Sequence, residues 1–395
     1  MAGMDATTRA LGRATLARQL LLERAETSPE DAVAHLLGLQ AQNVKPPYFQ
    51  LWSRLRGFEP ESLSALMESR RVVRMVTMRS TIHTHTAEDA LTLRPLVQPA
   101  RDRELTNFRK GLDGVDLDRL TELSRAFVEA EPRTMQEIRT ELLTHWPDAD
   151  PPALSVAARC RLPLVQVTPR GLWGRPGQVR LTTLRSWLGR DDDSALPDPV
   201  DPAARAALLD RTVLRYLGAF GPASVQDMQT WAGLTRLREA FERLRPRLVV
   251  LRDERGTELF DLPDAPRPDP DVPAPPRFLP EFDNLLLSHA DRTRIVPADL
   301  KGRSFQGNQA YCTLLVDGVL GGLWRLDTAK GPAGKPAEPA PADGRGTGGT
   351  ATLTVELFGR ASKALKEEIA AEGERLLAVM TPAAARSLRF GPISG

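Results

Sequence analysis

Leu248-Val249-Val250-Leu251-Arg252-Asp253-Glu254-Arg255-Gly256-Thr257-Glu258-Leu259-Phe260 consists of two short apolar-rich runs around a tight polar turn. Such a stretch reads as a β-hairpin, with Asp253 to Gly256 supplying the turn chemistry. Upstream, Ala204 to Gly218 has helical spacing, Ser224-Val225-Gln226-Asp227 opens a second helix through Trp231, and Thr235 to Leu244 forms a third. Three helices followed by a hairpin is the winged helix-turn-helix order.

The same order recurs towards the N-terminus as a repeat of architecture rather than of letters. Thr134-Met135-Gln136-Glu137 opens a helix on a capping-box pattern. Ala153 to Cys160 is another, and Leu162 to Val167 and Gln178 to Thr183 flank the Gly-rich turn Pro169 to Gly177. In the first segment, helices are predicted from Leu11, from Ser28-Pro29-Glu30-Asp31 to about Leu39, and from Glu59-Pro60-Glu61-Ser62. Val72 to His85 then follows as a strand pair, and Thr86 restarts a helix. Asp192 to Pro202 and Asp264 to Pro276 read as linkers. Beyond them, Asn308 to Arg325 turns at Asp317-Gly318, Ala351 to Phe358 is a strand, Lys330 to Thr350 a mobile loop, and Ser362 to Val379 a closing helix. The predicted class is α+β: winged units at 1–125, 126–191 and 203–263, then a β-rich, barrel-like domain at 277–395.

Composition sets outer limits. The 395 residues are 41% hydrophobic and 26% charged, with net charge +2, the balance of a globular protein rather than an overtly nucleic-acid-binding one. Positive charge is almost all Arg, because Lys occurs only at 45, 110, 301, 330, 335, 363 and 366. Arg is the better bidentate phosphate ligand, although a GC-rich genome produces the same bias. No run is long and apolar enough to span a membrane, and Met1 to Arg13 lacks a signal-peptide core. Cytoplasmic residence without membrane contact is therefore expected. Cys160 and Cys312 are isolated and read as small buried side chains. There is no Walker A loop, dinucleotide fingerprint, HExxH or GxSxG, so no cofactor and no metal are expected.

Three polar constellations remain. Gln40-Ala41-Gln42 follows the helical run His35 to Leu39 and precedes Asn43-Val44-Lys45-Pro46-Pro47. Pro favours an extended residue before it, and on an extended chain residues i and i+2 share a face. Two neutral amides on one cavity would hold a water and a polar ligand atom without charge. Arg79-Ser80-Thr81-Ile82-His83-Thr84-His85 puts both imidazoles on one strand face, which suits a metal pair, DNA contact or hydrogen-bonded packing. Arg277 to Arg292 is densely polar and reads either as a DNA-facing strap or as a buried network of Asp283, Asn284, Asp291 and Arg292.

Taken together, His35 to Gln42, Arg79 to His85 and Leu279-Pro280-Glu281-Phe282-Asp283-Asn284 through Asp291-Arg292 resemble the AlkZ-type DNA glycosylases of bacteria, over nearly the whole chain and in the family's order. The resemblance implies tandem winged-helix units and a C-terminal β domain in a C-shaped clamp on double-stranded DNA, acting as a monomer. It implies that Gln40 and Gln42 are catalytic. Related members carry Asp at the second position, and Gln there is similar to the branch acting on crosslinks and bulky adducts. The expected substrates are cationic alkylpurines, N7-alkylguanine and N3-alkyladenine, produced by a DNA-alkylating antibiotic. Expected DNA or lesion contacts are Asn43, Lys45, Arg79, His83, His85, Arg101, Arg175 at the second wing and Arg255 at the third, with Arg103 and Arg109 as further phosphate ligands. A non-enzymatic winged-helix regulator and a drug-sequestering protein are the rival classes.

Overall fold

A computed structural model describes residues 5–190, 201–307, 309–329 and 349–393. Most of the expected linker at 192–202 and most of the expected 330–350 loop fall outside them.

The predicted caps act as the sequence suggests. Thr134 and Glu137 form a reciprocal capping box at the helix Met135–His145, and Ser224 and Asp227 form one at Val225–Ala232. Each satisfies two otherwise orphaned backbone N–H groups. Third-segment helices Pro202–Phe220, Val225–Ala232 and Arg238–Leu244 precede the hairpin Val249–Asp253 with Glu258–Asp261. This order matches the reading of the decisive stretch. The strand Asp5–Ala6 adds to it in parallel, pairing Asp5 with Arg252. Tyr216, Phe220, Trp231, Phe241 and Phe260 build the core beneath.

The first two hairpins are not separate wings. Leu39–Gln40, Ile82–Thr86, Val72–Val76, Leu164–Gln166 and Leu181–Thr183 lie side by side, in that order, in one five-stranded sheet. Arg74 pairs with Gln166 across the two segments. Such pairing depends on contacts distant in sequence, which local patterns do not encode.

The C-terminal region is an open five-stranded sheet rather than the expected barrel. Its strand order runs Ala385–Phe390, Thr350–Leu357, Val319–Ala329, Cys312–Val316, Arg277–Leu279, and the two outer strands do not pair. The helix Lys363–Met380 packs Ile369, Leu376 and Leu377 into the same core as Phe278, Leu314 and Leu353. Asp317 and Gly318, at φ 46° and 80°, make the expected turn.

One boundary moves, with consequences for the site. The second helix covers Pro29–His35 and stops four residues short of Leu39. Leu37 and Gly38 adopt φ of 55° and 94°, which breaks the helix and turns the chain into the strand Leu39–Gln40.

Candidate active site

The Gln40-Ala41-Gln42 triplet starts on an edge strand. Gln40 pairs in register with His83, and the Ala41 amide donates to the Ile82 carbonyl at 2.8 Å. On the opposite edge, the Asn284 side chain stands in for a neighbouring strand. Its Nδ2 donates to the Gly38 carbonyl at 2.7 Å, and its Oδ1 accepts from the Gln40 amide at 3.2 Å. Gln50 Nε2 donates to the Gln40 carbonyl at 2.9 Å, and Arg74 Nη2 to the Ala41 carbonyl at 2.9 Å. The amide and carbonyl of Gln40 and of Ala41, and the Gly38 carbonyl, thus all find partners.

The two glutamine side chains meet different surroundings. Gln40 is buried, and its Oε1 accepts from Arg79 Nη2 at 2.6 Å. Gln42 is exposed, and its Oε1 lies at 3.5 Å from the Ile82 N–H, too long for a firm bond. Next to the triplet, a cleft of about 430 Å³ is walled by Asn43, Lys45, Phe49, Glu281, Phe282 and Tyr311, among others. Asn43 Nδ2 donates to Glu281 Oε1 at 2.9 Å across its rim.

Arg79 sits in the left-handed region at φ 52°, where a non-glycine residue costs about 1–2 kcal/mol. Its Nη1 donates to the carbonyl of Trp231 at the end of a helix, and Nη2 also reaches His83 Nε2 at 3.4 Å. No carboxylate pairs with it among the described residues. Burial, aided by Arg292, lowers its pKa to about 10. The negative end of the helix dipole is the compensation it has.

His83 and His85 are buried, at 1% and 0% exposure, and their rings stack at 5.5 Å. The expectation that they touch DNA is therefore corrected: neither reaches a surface. His83 Nδ1 donates to the Thr81 carbonyl at 3.0 Å, which leaves Nε2 to accept from Arg79. His85 Nε2 and the Thr77 hydroxyl lie at 2.8 Å. Burial pushes His83 well below its usual pKa, helped by Arg79, and pushes His85 down to about 4. Both are neutral supports of the sheet beneath Gln40. No group of three or more metal-ligating side chains occurs among the described residues, so the metal reading of this pair finds no third ligand.

Arg101 is likewise corrected. It is 1% exposed, ion-paired with Glu104 and hydrogen-bonded to the Arg159 carbonyl, so it has no face for a phosphate. Arg103 and Arg109 are exposed, and Arg103 donates to the Gly233 carbonyl at 3.2 Å. Arg175 and Arg255 are exposed and lightly paired, with Glu68 at 3.6 Å and Asp291 at 2.8 Å. Lys45 is exposed at the cleft.

The strap Arg277 to Arg292 follows the structural reading for two of its four named members: Asp283 and Asn284 are buried, whereas Asp291 is exposed and Arg292 half-buried. Asp283 and Arg54 form a bidentate ion pair, both bonds 2.8 Å, at 0% side-chain exposure. His289 Nε2 donates to the Phe220 carbonyl at 2.9 Å, and Tyr216 donates to the Ser288 carbonyl at 2.7 Å. Asp291 leaves the buried network and faces Arg255. Four supports of the triplet were absent from the sequence reading: Gln50, Arg54, Arg74 and the role of Asn284 as a strand mimic. Of these, only Asn284 carries a sequence signal, its dense polar neighbourhood.

A neutral amide pair set on a mixed helical and sheet scaffold leaves the class of enzyme open, and the comparisons specify it as a DNA glycosylase. The chain belongs to the DNA glycosylase AlkZ-like family, whose model matches residues 33–379. It is 24% identical over 347 residues to an interstrand DNA cross-link repair glycosylase of Streptomyces sahachiroi, covering 82% of this chain and 89% of that one. In fold it is similar to the Streptomyces sahachiroi DNA glycosylase AlkZ, with TM-score 0.76 at 19% identity, over 98% of this chain and 100% of that chain.

Proposed function

We propose that this glycosylase hydrolyses the N-glycosidic bond of purines already made cationic by alkylation, N7-alkylguanine and N3-alkyladenine, including bulky adducts or interstrand crosslinks left by a DNA-alkylating antibiotic. The observation that carries the reading is the company Gln40 keeps. Its polar neighbours are Arg79, Asn284, Gln50 and neutral His83. None is an acid able to protonate a departing base near neutral pH. A neutral purine would need such an acid. A base carrying alkylation charge does not, because it becomes neutral as it leaves.

In this mechanism Gln40 and Gln42 act by positioning and electrostatics, since an amide is no general base. The sugar passes through an oxocarbenium-like state that a held water then captures. A bulky or crosslinked base cannot rotate into a snug pocket as flipping enzymes require, and the open cleft beside Asn43 and Lys45 suits a lesion approached in place. A monomeric clamp would bring the second and third hairpin turns, with Arg175 and Arg255, to the duplex, and Lys45 and Asn43 near the lesion. Antibiotic self-resistance is the corresponding cellular role, and the cytoplasm its place. Relatedness to a cross-link repair glycosylase supports the bulky-lesion branch of this reading.

The test is incubation with a duplex carrying a single N7-methylguanine, followed by alkali. Strand scission at the lesion is expected from the wild type. It is expected to be lost in a Gln40→Ala/Gln42→Ala double variant that still binds the duplex. Binding without scission by the wild type would favour a damage reader instead.

A further inference from the structure

The two glutamines are not equivalent, and Arg79 is the reason. A guanidinium has only donors, so the Gln40 atom facing it at 2.6 Å is the carbonyl oxygen. Turning the amide over would set N–H groups against N–H groups. Arg79 itself is pinned: its other arm holds the Trp231 carbonyl, its backbone is fixed at φ 52°, and Gly233 packs so closely that an added Cβ would lie 3.0 Å from the Arg79 Cα. Neutral His83 accepts from the same nitrogen. The Gln40 amide is thus oriented by elements from two distant segments. Its Nε2 has no hydrogen-bond partner among the described protein groups, whereas its oxygen is engaged. Gln42 is the opposite case, with an exposed side chain whose oxygen makes one long contact.

We infer that Arg79 is a positioning residue that turns the Gln40 amide nitrogen toward the substrate, so that Gln40 donates a hydrogen bond to the departing base while Gln42 supplies the carbonyl that orients the water. This rests on the glycosylase reading above and divides its labour. As the C1′–N9 bond of an N7-alkylguanine breaks, its electron pair leaves with the base and cancels the N7 charge. The base nitrogens gain acceptor strength as this happens, so an N–H aimed at them binds more tightly in the transition state than in the ground state. The water oxygen forms the new bond to C1′, and its proton passes to bulk water.

The test is single-turnover excision of N7-methylguanine from duplex DNA, measured from about pH 4 to 9 so that a carboxylate titration is spanned, with the duplex Kd and the urea-unfolding midpoint recorded for each variant. Gln40→Glu keeps a partner for Arg79 but loses the donor, and its rate is expected to fall about 10- to 100-fold at every pH with Kd unchanged. Gln42→Glu puts a carboxylate on the water, and is expected to raise the rate about tenfold and add an acid limb near pH 4–5. Arg79→Met should lower the rate with Kd retained, and Arg79→Lys should restore part of it. A Gln40→Glu rate at or above wild type, or the acid limb appearing in that variant instead, overturns the division. An Arg79→Met effect confined to Kd would make Arg79 a DNA contact and overturn its positioning role. If Arg79→Met fails to fold, the two glutamate variants still decide the division. A wild type that leaves the lesion intact overturns the glycosylase reading itself, an outcome distinct from any swapped variant pattern.

Discussion

Gly38 decides where the Gln40 strand begins. It lies at φ 94°, and a Cβ added there would stand 2.2 Å from His85 Nδ1 and 3.0 Å from the Thr84 carbonyl. Both the backbone conformation and the space exclude a side chain, so Gly38→Ala is expected to cost about 2–4 kcal/mol, read from urea unfolding, and to lower excision with it. The histidine that fills that space sets a pH dependence. His83, His85 and His289 are all buried with depressed pKa values, the last two at about 4 and about 3. In the unfolded chain they titrate near 6.5. Because the folded values are lower, their contribution is complete above that range and is lost as pH falls. Three such groups remove up to about 3 kcal/mol of stability between pH 6.5 and 5.5. Urea midpoints across this interval should fall steeply, and His85→Asn should flatten the slope. A midpoint that stays level would show that these imidazoles titrate normally.

At the scale of elements, the helix Pro46–Arg54 and the turn at Asp283 are joined by an ion pair that water does not reach. Removing one partner leaves a buried charge alone. Asp283→Ala is therefore expected to cost about 3–5 kcal/mol, and an Arg54→Met/Asp283→Leu double variant to recover most of it. Equal losses in the single and double variants would mean that the turn depends on the charges themselves. The elements on either side show what the sequence discloses. Thr134 with Glu137 and Ser224 with Asp227 announce helix starts because a cap is a contact three residues long. Asp317-Gly318 announces a hairpin for the same reason of locality. Arg54 carries no such mark, since its partner lies 229 positions away. The Gln40 segment is extended as expected but not for the expected reason: Lys45, before the prolines, is helical and they open the helix Pro46–Arg54, while the Gly38 break that starts the strand is hidden inside an apolar run. His83 and His85 were correctly set on one face, yet alternation alone does not tell a buried face from a DNA-facing one. Nor does it reveal that the first two hairpins share a sheet.

Across the whole molecule the question is how a chain of net charge +2 holds a polyanion. The local answer is sorting. Arg54, Arg74 and Arg101 are buried on structural duty, so exposed arginines with weak partners are the expected source of DNA-facing charge. Arg175 and Arg255 fit, because their pairs with Glu68 and Asp291 are solvent-exposed and worth little. If they meet phosphates, each releases about one counterion. Arg175→Ala and Arg255→Ala should each reduce the slope of log K against log salt by about 0.9 and weaken binding similarly on damaged and undamaged duplex. Excision at saturating DNA should change far less than binding, because neither residue borders the Gln40 segment. The measurement is fluorescence anisotropy across about 50 to 300 mM salt, which spans the steep part of counterion release. Arg101→Ala serves as the contrast: it should lower the urea midpoint while leaving the salt slope of the folded fraction intact. A slope unchanged in both exposed-site variants would move the DNA path away from the two hairpin turns and toward the rim at Lys45.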